Sequence, residues 1–298
     1  HGGTEKGPIF ERCVISTWQS IYKKPASWFQ HFGMVIGDEA HQFKAKSLTA
    51  IMEKCTEAKY RIGTTGTLDG TQTHQLVLEG LFGPVHKVTT TKDLIDSDQL
   101  AKLDIKMLLL KYKEEHCKEI SKLKYQDEID FIVRYTPRNN FISNLAIDQQ
   151  GNTLILFNYV EKHGKPLHNI LNEKLKGKKR RLFYVSGETD VDTRESVRTI
   201  TEKEDNAIIV ASLGTFSTGI NIRNLHNLIF ASPSKSQIRV LQSIGRGLRK
   251  SNRDTQVFDI ADDLHWKNKK NYTLEHAAER IKIYSKEKFD YELHEVNI

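Results

Sequence analysis

Cysteine is scarce in this chain: Cys13, Cys55 and Cys117 lie far apart among 298 residues, with no C-x-x-C pair. That spacing excludes a disulfide framework and a cysteine-based zinc site, and it suits a reducing cytosol. No apolar run approaches the ~18 residues of a membrane span, so no membrane role is expected, and the opening residues form no signal peptide. Repeats of solenoid length and low-complexity tracts are also missing, which removes the repeat and disordered classes. The first residues are His1-Gly2-Gly3 rather than an initiator methionine, and the expectation from this is a fragment or a processed product.

Apolar residues make up 38% of the chain, enough for two ordinary cores at this length. Basic residues outnumber acidic ones 45 to 38, a formal +7. This balance fits a polyanionic partner, although a mildly basic protein without one would share it.

The most telling stretch is Val35-Ile36-Gly37-Asp38-Glu39-Ala40-His41. An apolar run ending in two acids reads as a buried parallel strand that delivers carboxylates to the ligand-binding edge of an α/β sheet. There Asp38 suits a Mg²⁺ ion and Glu39 suits the orientation and deprotonation of an attacking water. Around it, residues 12–17 read as a short strand. Thr17-Trp18-Gln19 at its end offers a hydroxyl, a stacking face and an amide to a nucleic-acid backbone; a strand end with a half-buried Trp accounts for it equally. Residues 46–57 have helical spacing. Tyr60-Arg61-Ile62-Gly63 reads as a strand that breaks into Thr64-Thr65-Gly66-Thr67, a hydroxyl-rich loop able to relay between two ligands, or else a plain glycine turn.

From about residue 92 to 135 the composition turns charge-rich, which predicts a strand at Ile105–Leu110 and then a solvated connecting helix. Beyond Pro137, apolar runs at 154–157, 182–185, 207–211, 228–230 and 257–260 alternate with helical stretches near 160–175, 192–204 and 236–248. Alternation of this kind predicts a doubly wound parallel sheet. The basic run Lys174–Arg181 reads first as a solvated helix end and second as a phosphate-contacting patch. Residues 272–298 have helical spacing and predict a terminal helix.

Two stretches in this half carry chemistry. Residues 211–221, with Ser212, Thr215, Ser217, Thr218 and Gly219, place hydroxyls and glycines after a buried strand, where they can line a nucleotide sugar or a phosphodiester backbone. In Gln242-Ser243-Ile244-Gly245-Arg246-Gly247-Leu248-Arg249-Lys250, Arg246 and Arg249 are three residues apart on one helix face, the natural clamp for a γ-phosphate. Gly245 and Gly247 each cost an isolated helix roughly 1 kcal/mol, which close approach to phosphates or to another domain would explain. A basic surface helix is the plainer alternative.

Taken together, Asp38-Glu39-Ala40-His41, Thr64-Thr65-Gly66-Thr67, the Ser212–Asn221 loop and Gln242-x-x-Gly245-Arg246-x-x-Arg249 resemble, in order and spacing, motifs II, III, V and VI of superfamily 2 helicases. Thr17-Trp18-Gln19 and Ser186-Gly187-Glu188 are similar to that family's nucleic-acid-contacting stretches. Within the superfamily the chain resembles phage helicases of recombination and repair, through Trp28-Phe29-x-x-Phe32-Gly33-Met34, Tyr184–Glu188 and Val240–Lys250. The resemblance implies an α/β fold of two RecA-like parallel-sheet domains, the first incomplete at its amino end, plus a C-terminal helix. The corresponding boundaries are 1–91 for the first domain, 92–136 for a linker, 137–270 for the second domain and 271–298 for the helix.

The resemblance also implies an ATP- and Mg²⁺-dependent enzyme that unwinds or branch-migrates duplex and branched DNA, including RNA–DNA hybrids, working as a monomer in a phage-infected or bacterial cytosol. Carried over by position, Asp38 binds Mg²⁺, Glu39 activates water, and Arg246 and Arg249 are arginine fingers. His41 and Gln242 couple the nucleotide to the domain interface, and Gly219 lies near it. Thr17, Trp18, Gln19, Ser186, Gly187 and Ser212 contact nucleic acid, while Thr64, Gly66 and Thr67 relay hydrolysis to DNA grip.

The chain departs from the family in one respect. No G-x-x-x-x-G-K-[ST] occurs, and without that amide cradle and lysine, triphosphate affinity should be largely lost. The expectation is a carboxyl-terminal helicase part that is inactive alone. A non-catalytic nucleic-acid-binding module, or the motor of an RNA helicase or restriction enzyme, are the alternatives.

Overall fold

Uninterrupted apolar runs set the architecture of the larger half. The computed structural model describes residues 12–43, 45–66, 68, 72–89, 93, 96, 97, 103–219, 224–232 and 255–298. It divides into two units, residues 1–88 and 89–298.

In the first unit, β1 (Met34–Gly37) and β2 (Tyr60–Gly63) form a parallel pair in the register Met34↔Tyr60 to Gly37↔Gly63. One face is packed by Phe29, Phe43, Leu48, Ile51, Met52 and Leu78, carried largely on the helices Ala26–Phe29, Lys46–Lys54 and Gln72–Phe82. The other face exposes Met34, Ile36, Tyr60 and Ile62, at 49%, 62%, 52% and 44% of their surface. Residues 12–17 are not a strand: they are exposed, in no ladder, and lead into the short helix Trp18–Ile21. β-forming residues need a neighbouring strand to satisfy their backbone, and none lies beside them among the described residues.

The second unit is a seven-stranded, all-parallel sheet. Its strands are β3 (Leu103–Lys111), β4 (Thr153–Phe157), β5 (Arg181–Val185), β6 (Ala207–Ser212), β7 (Asn227–Phe230), β8 (Thr255–Asp263) and β9 (Tyr291–Asn297), in the order β5-β6-β4-β7-β8-β3-β9. Every residue of β4, β6 and β7 is buried, as a strand covered on both faces requires. Helices Lys165–Leu175 and Thr136–Asp148 pack one face with Leu167, Leu171, Ile142 and Ala146; helices Val191–Lys203 and Tyr272–Lys286 cover the other with Val197, Ala277 and Tyr284.

Two predictions change here. Residues 103–134 are not a solvated connector: β3 lies between β8 and β9, and helices Glu114–Ile120 and Tyr125–Arg134 bury Cys117, Ile120, Ile129, Ile132 and Val133. The final residues are not all helix either. The helix ends at Lys286, Lys288 takes a left-handed φ of 58°, and Tyr291–Asn297 pairs with Ile105–Lys111. The reversal is closed by Phe289 N–H donating to the Tyr284 carbonyl.

Two buried ion pairs hold helices to β8 from opposite faces. The Arg138 guanidinium donates to both Asp262 oxygens at 2.6 and 2.9 Å and to the Ala231 carbonyl, and Tyr112 Oη donates to Asp262 at 2.8 Å. Arg280 Nε donates to Asp259 at 2.8 and 3.0 Å, with Tyr284 Oη at 2.7 Å. Burial, reinforced by the neighbouring aspartate charge, pushes both tyrosine hydroxyls well above their usual pKa. Among the described residues no helix is long and apolar enough to cross a membrane.

Candidate nucleotide and nucleic-acid sites

The register of β1 against β2 places Asp38 beside Thr64. Gly37 faces Gly63, so the two chains leave the ladder together: Thr64 N–H donates to the Gly37 carbonyl at 2.9 Å, and Ala40 N–H to the Thr64 carbonyl at 2.8 Å. Thr64 Oγ1 then donates to Asp38 Oδ1 at 3.1 Å, and Glu39 N–H to the same oxygen at 2.9 Å. Both bonds fall on one carboxylate oxygen, which orients the group and leaves Oδ2 for another partner. The glycines are required by close approach. A Cβ on Gly37 would stand 2.8 Å from the Phe43 ring, and one on Gly63 would stand 2.9 Å from Phe82.

Glu39 turns the chain with φ 51° and ψ 49°, a left-handed conformation uncommon for a side chain of this length. Such strain clusters at functional sites. Its carboxylate, 47% exposed, reaches His41 Nδ1 at 3.2 Å, and the same nitrogen lies 2.9 Å from Thr65 Oγ1. His41 is itself buried, so it links the acidic turn to the hydroxyl loop. Thr65, which sequence reasoning passed over in favour of its neighbours, is the hydroxyl that makes this link; its only signal was adjacency to Thr64. Gly66 lies in the bend that follows, and Thr67 lies outside the described residues.

Oxygen donors of this kind suit Mg²⁺, a hard cation that takes one or two carboxylates and completes its shell elsewhere. Thr17 precedes the helix Trp18–Ile21 and pairs its hydroxyl with Ser20 at 3.0 Å; Trp18 packs edge-on against Tyr22 at 5.7 Å, and Gln19 is exposed.

In the second unit, the pairing Val185↔Ala211 sets Ser186 and Ser212 side by side at the carboxyl edge of the sheet. Ser186 is buried, accepting at Oγ from Glu188 N–H at 3.3 Å, while Gly187 and Glu188 are exposed. Ser212 Oγ donates to Thr215 Oγ1 at 2.6 Å and accepts from Thr215 N–H at 3.3 Å, at the start of the helix Leu213–Gly219. Gly219 is that helix's last residue. Gln242, Arg246 and Arg249 lie outside the described residues.

One further group escaped the sequence reading. The connections leaving β4 and β7 diverge to opposite faces of the sheet, the arrangement that opens a ligand crevice in α/β folds. There Ser232 Oγ accepts from Asn158 N–H at 3.2 Å and lies 2.9 Å from His163 Nδ1. Burial, aided by the Arg138 charge, pushes the His163 pKa well below its ordinary value. A histidine within a loose apolar stretch carries no sequence signal for this.

Comparisons with known proteins agree with this geometry. The helicase conserved C-terminal domain family matches residues 137–251, and the family of the type III restriction enzyme res subunit matches residues 6–70. The ATP-dependent DNA helicase UvsW of Enterobacteria phage T4 is 35% identical over the whole of this chain, which spans 62% of UvsW. A protein of Acanthamoeba polyphaga mimivirus, to which an ATP-dependent RNA helicase activity is attributed, is 27% identical over 84% of the chain and 47% of its own length.

Among solved structures, T4 UvsW aligns with a TM-score of 0.58 over 94% of this chain and 57% of its own. The type ISP restriction-modification enzyme LlaBIII bound to DNA aligns at 0.63, with 16% identity over 94% of this chain and 23% of its own, and so shares the fold alone. With the acidic turn and hydroxyl loop joined on one parallel strand pair, a second parallel sheet matched by the helicase C-terminal family, and this identity to UvsW, the chain belongs to the superfamily 2 helicases.

Proposed function

We propose that the chain is the carboxyl-terminal motor part of an ATP-driven helicase or translocase that acts on branched DNA, recombination intermediates and stalled forks, RNA–DNA hybrids included. The observation that carries this reading is the hydrogen bond of Thr64 to Asp38, which ties the acidic motif to the hydroxyl loop. Asp38 would hold Mg²⁺, whose charge offsets that of the phosphates. Glu39 would orient and deprotonate the attacking water, and Arg246 and Arg249 would clamp the γ-phosphate. His41, held between Glu39 and Thr65, would pass the state of the nucleotide to the loop, and with Gln242 to the domain interface. Exposed backbone at Gly187, with Ser186 and Ser212 shaping the edge, would meet the nucleic-acid backbone, as would Thr17, Trp18 and Gln19 in the first unit.

No phosphate-binding G-x-x-x-x-G-K-[ST] occurs within the 298 residues, and for that reason we propose that the chain alone does not turn over ATP. Measurable DNA-stimulated ATPase from the isolated chain would overturn this part. The test of the function is strand displacement on forked DNA and on duplex RNA by the polypeptide that joins this chain to its phosphate-binding segment. Displacement of the forked DNA is expected, and activity confined to RNA duplexes would overturn the DNA-repair assignment.

A further inference from the structure

At the carboxyl end of β8 the chain makes a tight turn, Leu264-His265-Trp266-Lys267-Asn268-Lys269-Lys270-Asn271, that holds three lysines and a histidine and no acid. Its backbone is closed by reciprocal bonds: Trp266 N–H donates to the Lys269 carbonyl and Lys269 N–H to the Trp266 carbonyl, both at 3.0 Å. Lys267 adopts a left-handed φ of 54°, and its ammonium lies 5.9 Å from the Trp266 ring centroid.

The turn is anchored from below. Asn271 accepts from Leu264 N–H at 2.9 Å and donates to Glu128 at 3.0 Å, to the Asp262 carbonyl at 3.1 Å and to Thr273 at 2.8 Å. Glu128, 1% exposed, also accepts from Tyr272 N–H and Thr273 N–H. The two acids that precede the turn do not offset its charge, because Asp262 is bound by Arg138 and Asp263 by Lys111 and His265. Lys269 Nζ donates to the Ser121 carbonyl, which brings the exposed Lys122 and Lys124 alongside. The result is a rigid, uncompensated cluster of cations, with His265, Lys267, Lys269 and Lys270 all exposed.

Its place in the fold says what such a cluster can meet. The sheet is all parallel, so the turn shares the carboxyl edge with Ser186 and Ser212, and β8 is three neighbours from β6. At ~4.8 Å per strand this separates them by about 14 Å. Nucleic acid rises ~3.4 Å per nucleotide along each strand, so the distance corresponds to about four nucleotides. We propose that the turn 264–271 is a second phosphodiester-binding element, holding a nucleic-acid backbone about four nucleotides from the Ser186–Ser212 edge. The element rests on the reading that this edge meets nucleic acid, and its ligand is the backbone common to DNA and RNA. A pre-formed turn spends little ordering entropy on contact, unlike lysines on a free loop.

The test is equilibrium binding of the 298-residue chain to a 20-base-pair DNA duplex and to an RNA duplex of the same sequence, each measured across a salt series. Each phosphate contact contributes about 0.9 to the slope of log K against log salt. The double variant K267Q/K270Q should therefore lower the slope by about 1.8, with thermal unfolding unchanged because both side chains are exposed. The variant K282Q/K286Q, which removes the same charge from the helix Tyr272–Lys286, should leave the slope unaltered. Equal slopes for the two variants, or no duplex binding by the chain, would overturn the proposal. Loss of slope on one duplex only would assign the element to that nucleic acid. A full-length protein that fails strand displacement while the slope difference persists would overturn the helicase reading and leave this one standing.

Discussion

Asp262→Asn should be among the most damaging single substitutions in the larger unit, although it removes no volume. Arg138 and Asp262 are both fully buried, their side chains at 0% exposure, and the carboxylate receives two guanidinium bonds and the Tyr112 hydroxyl. The amide keeps the shape and strips the countercharge, leaving a guanidinium in a dry interior. Breaking such a pair from one side costs about 3–5 kcal/mol, whereas replacing both partners by apolar groups is often neutral. In a unit of this size each kcal/mol moves the melting temperature by about 2–4 °C, so Asp262→Asn should melt roughly 6–20 °C lower. Asp262→Leu with Arg138→Met should recover most of that. The remainder, about 1–3 kcal/mol, reflects the orphaned Tyr112 hydroxyl and should vanish on adding Tyr112→Phe. Thermal and urea unfolding followed by far-UV circular dichroism give all three values. A melting point for Asp262→Asn within 2 °C of the parent, or a triple variant as damaged as the single, would refute the electrostatic account.

Gly63→Ala should destabilise the first unit by about 1–3 kcal/mol, because the new Cβ meets Phe82 at 2.9 Å and Ala40 at 3.0 Å; unaltered trypsin resistance of residues 12–88 would contradict this. His163 has a depressed pKa in the fold, so below ~6.5 the unfolded chain binds a proton that the native state refuses. Its contribution is complete above that pH and is lost as pH falls toward the folded value, by up to about 1.4 kcal/mol per unit. His163→Gln should therefore shrink the stability difference between pH 7.5 and 5.0 by up to about 2 kcal/mol, and an unchanged difference in urea midpoints would count against it. In the protein that carries the phosphate-binding segment, Glu39→Gln should retain ATP binding and lose turnover. Arg249→Ala should cut kcat by about 10³ or more with a much smaller change in ATP affinity, and equal losses in the two would reassign Arg249 to binding.

The parallel sheet was readable from residues 154–157 and 207–211 because strands covered on both faces keep no polar alternation, and both runs are wholly buried. Asp38 and Thr64 were each readable as a strand end. Their hydrogen bond was not, since it depends on a register between segments 26 residues apart. The strand 291–297 escaped because the chain reverses at Lys288 in a conformation usually marked by glycine, and helical spacing carried on through Phe289. Trp18 shows the limit of residue type: the same indole serves stacking or packing, and only its neighbour Tyr22 reveals the contact it makes in the fold.

The β1–β2 pair has a further consequence for how the molecule breathes. Two strands of four residues, packed on one side and bare at Met34, Ile36, Tyr60 and Ile62 on the other, have few contacts to resist opening, whereas β4 and β6 lie inside a sealed sheet. Short ribbons of this kind are marginal by themselves, and proteins open first where burial is least. Amide exchange should be fast at Val35, Ile36 and Ile62 and slow at Ile155 and Ile209. The carboxylate turn thus rides on a cooperative unit of low stability, so whatever binds Asp38 and Glu39 also tightens the ribbon beneath them, by RT ln(1 + [L]/Kd).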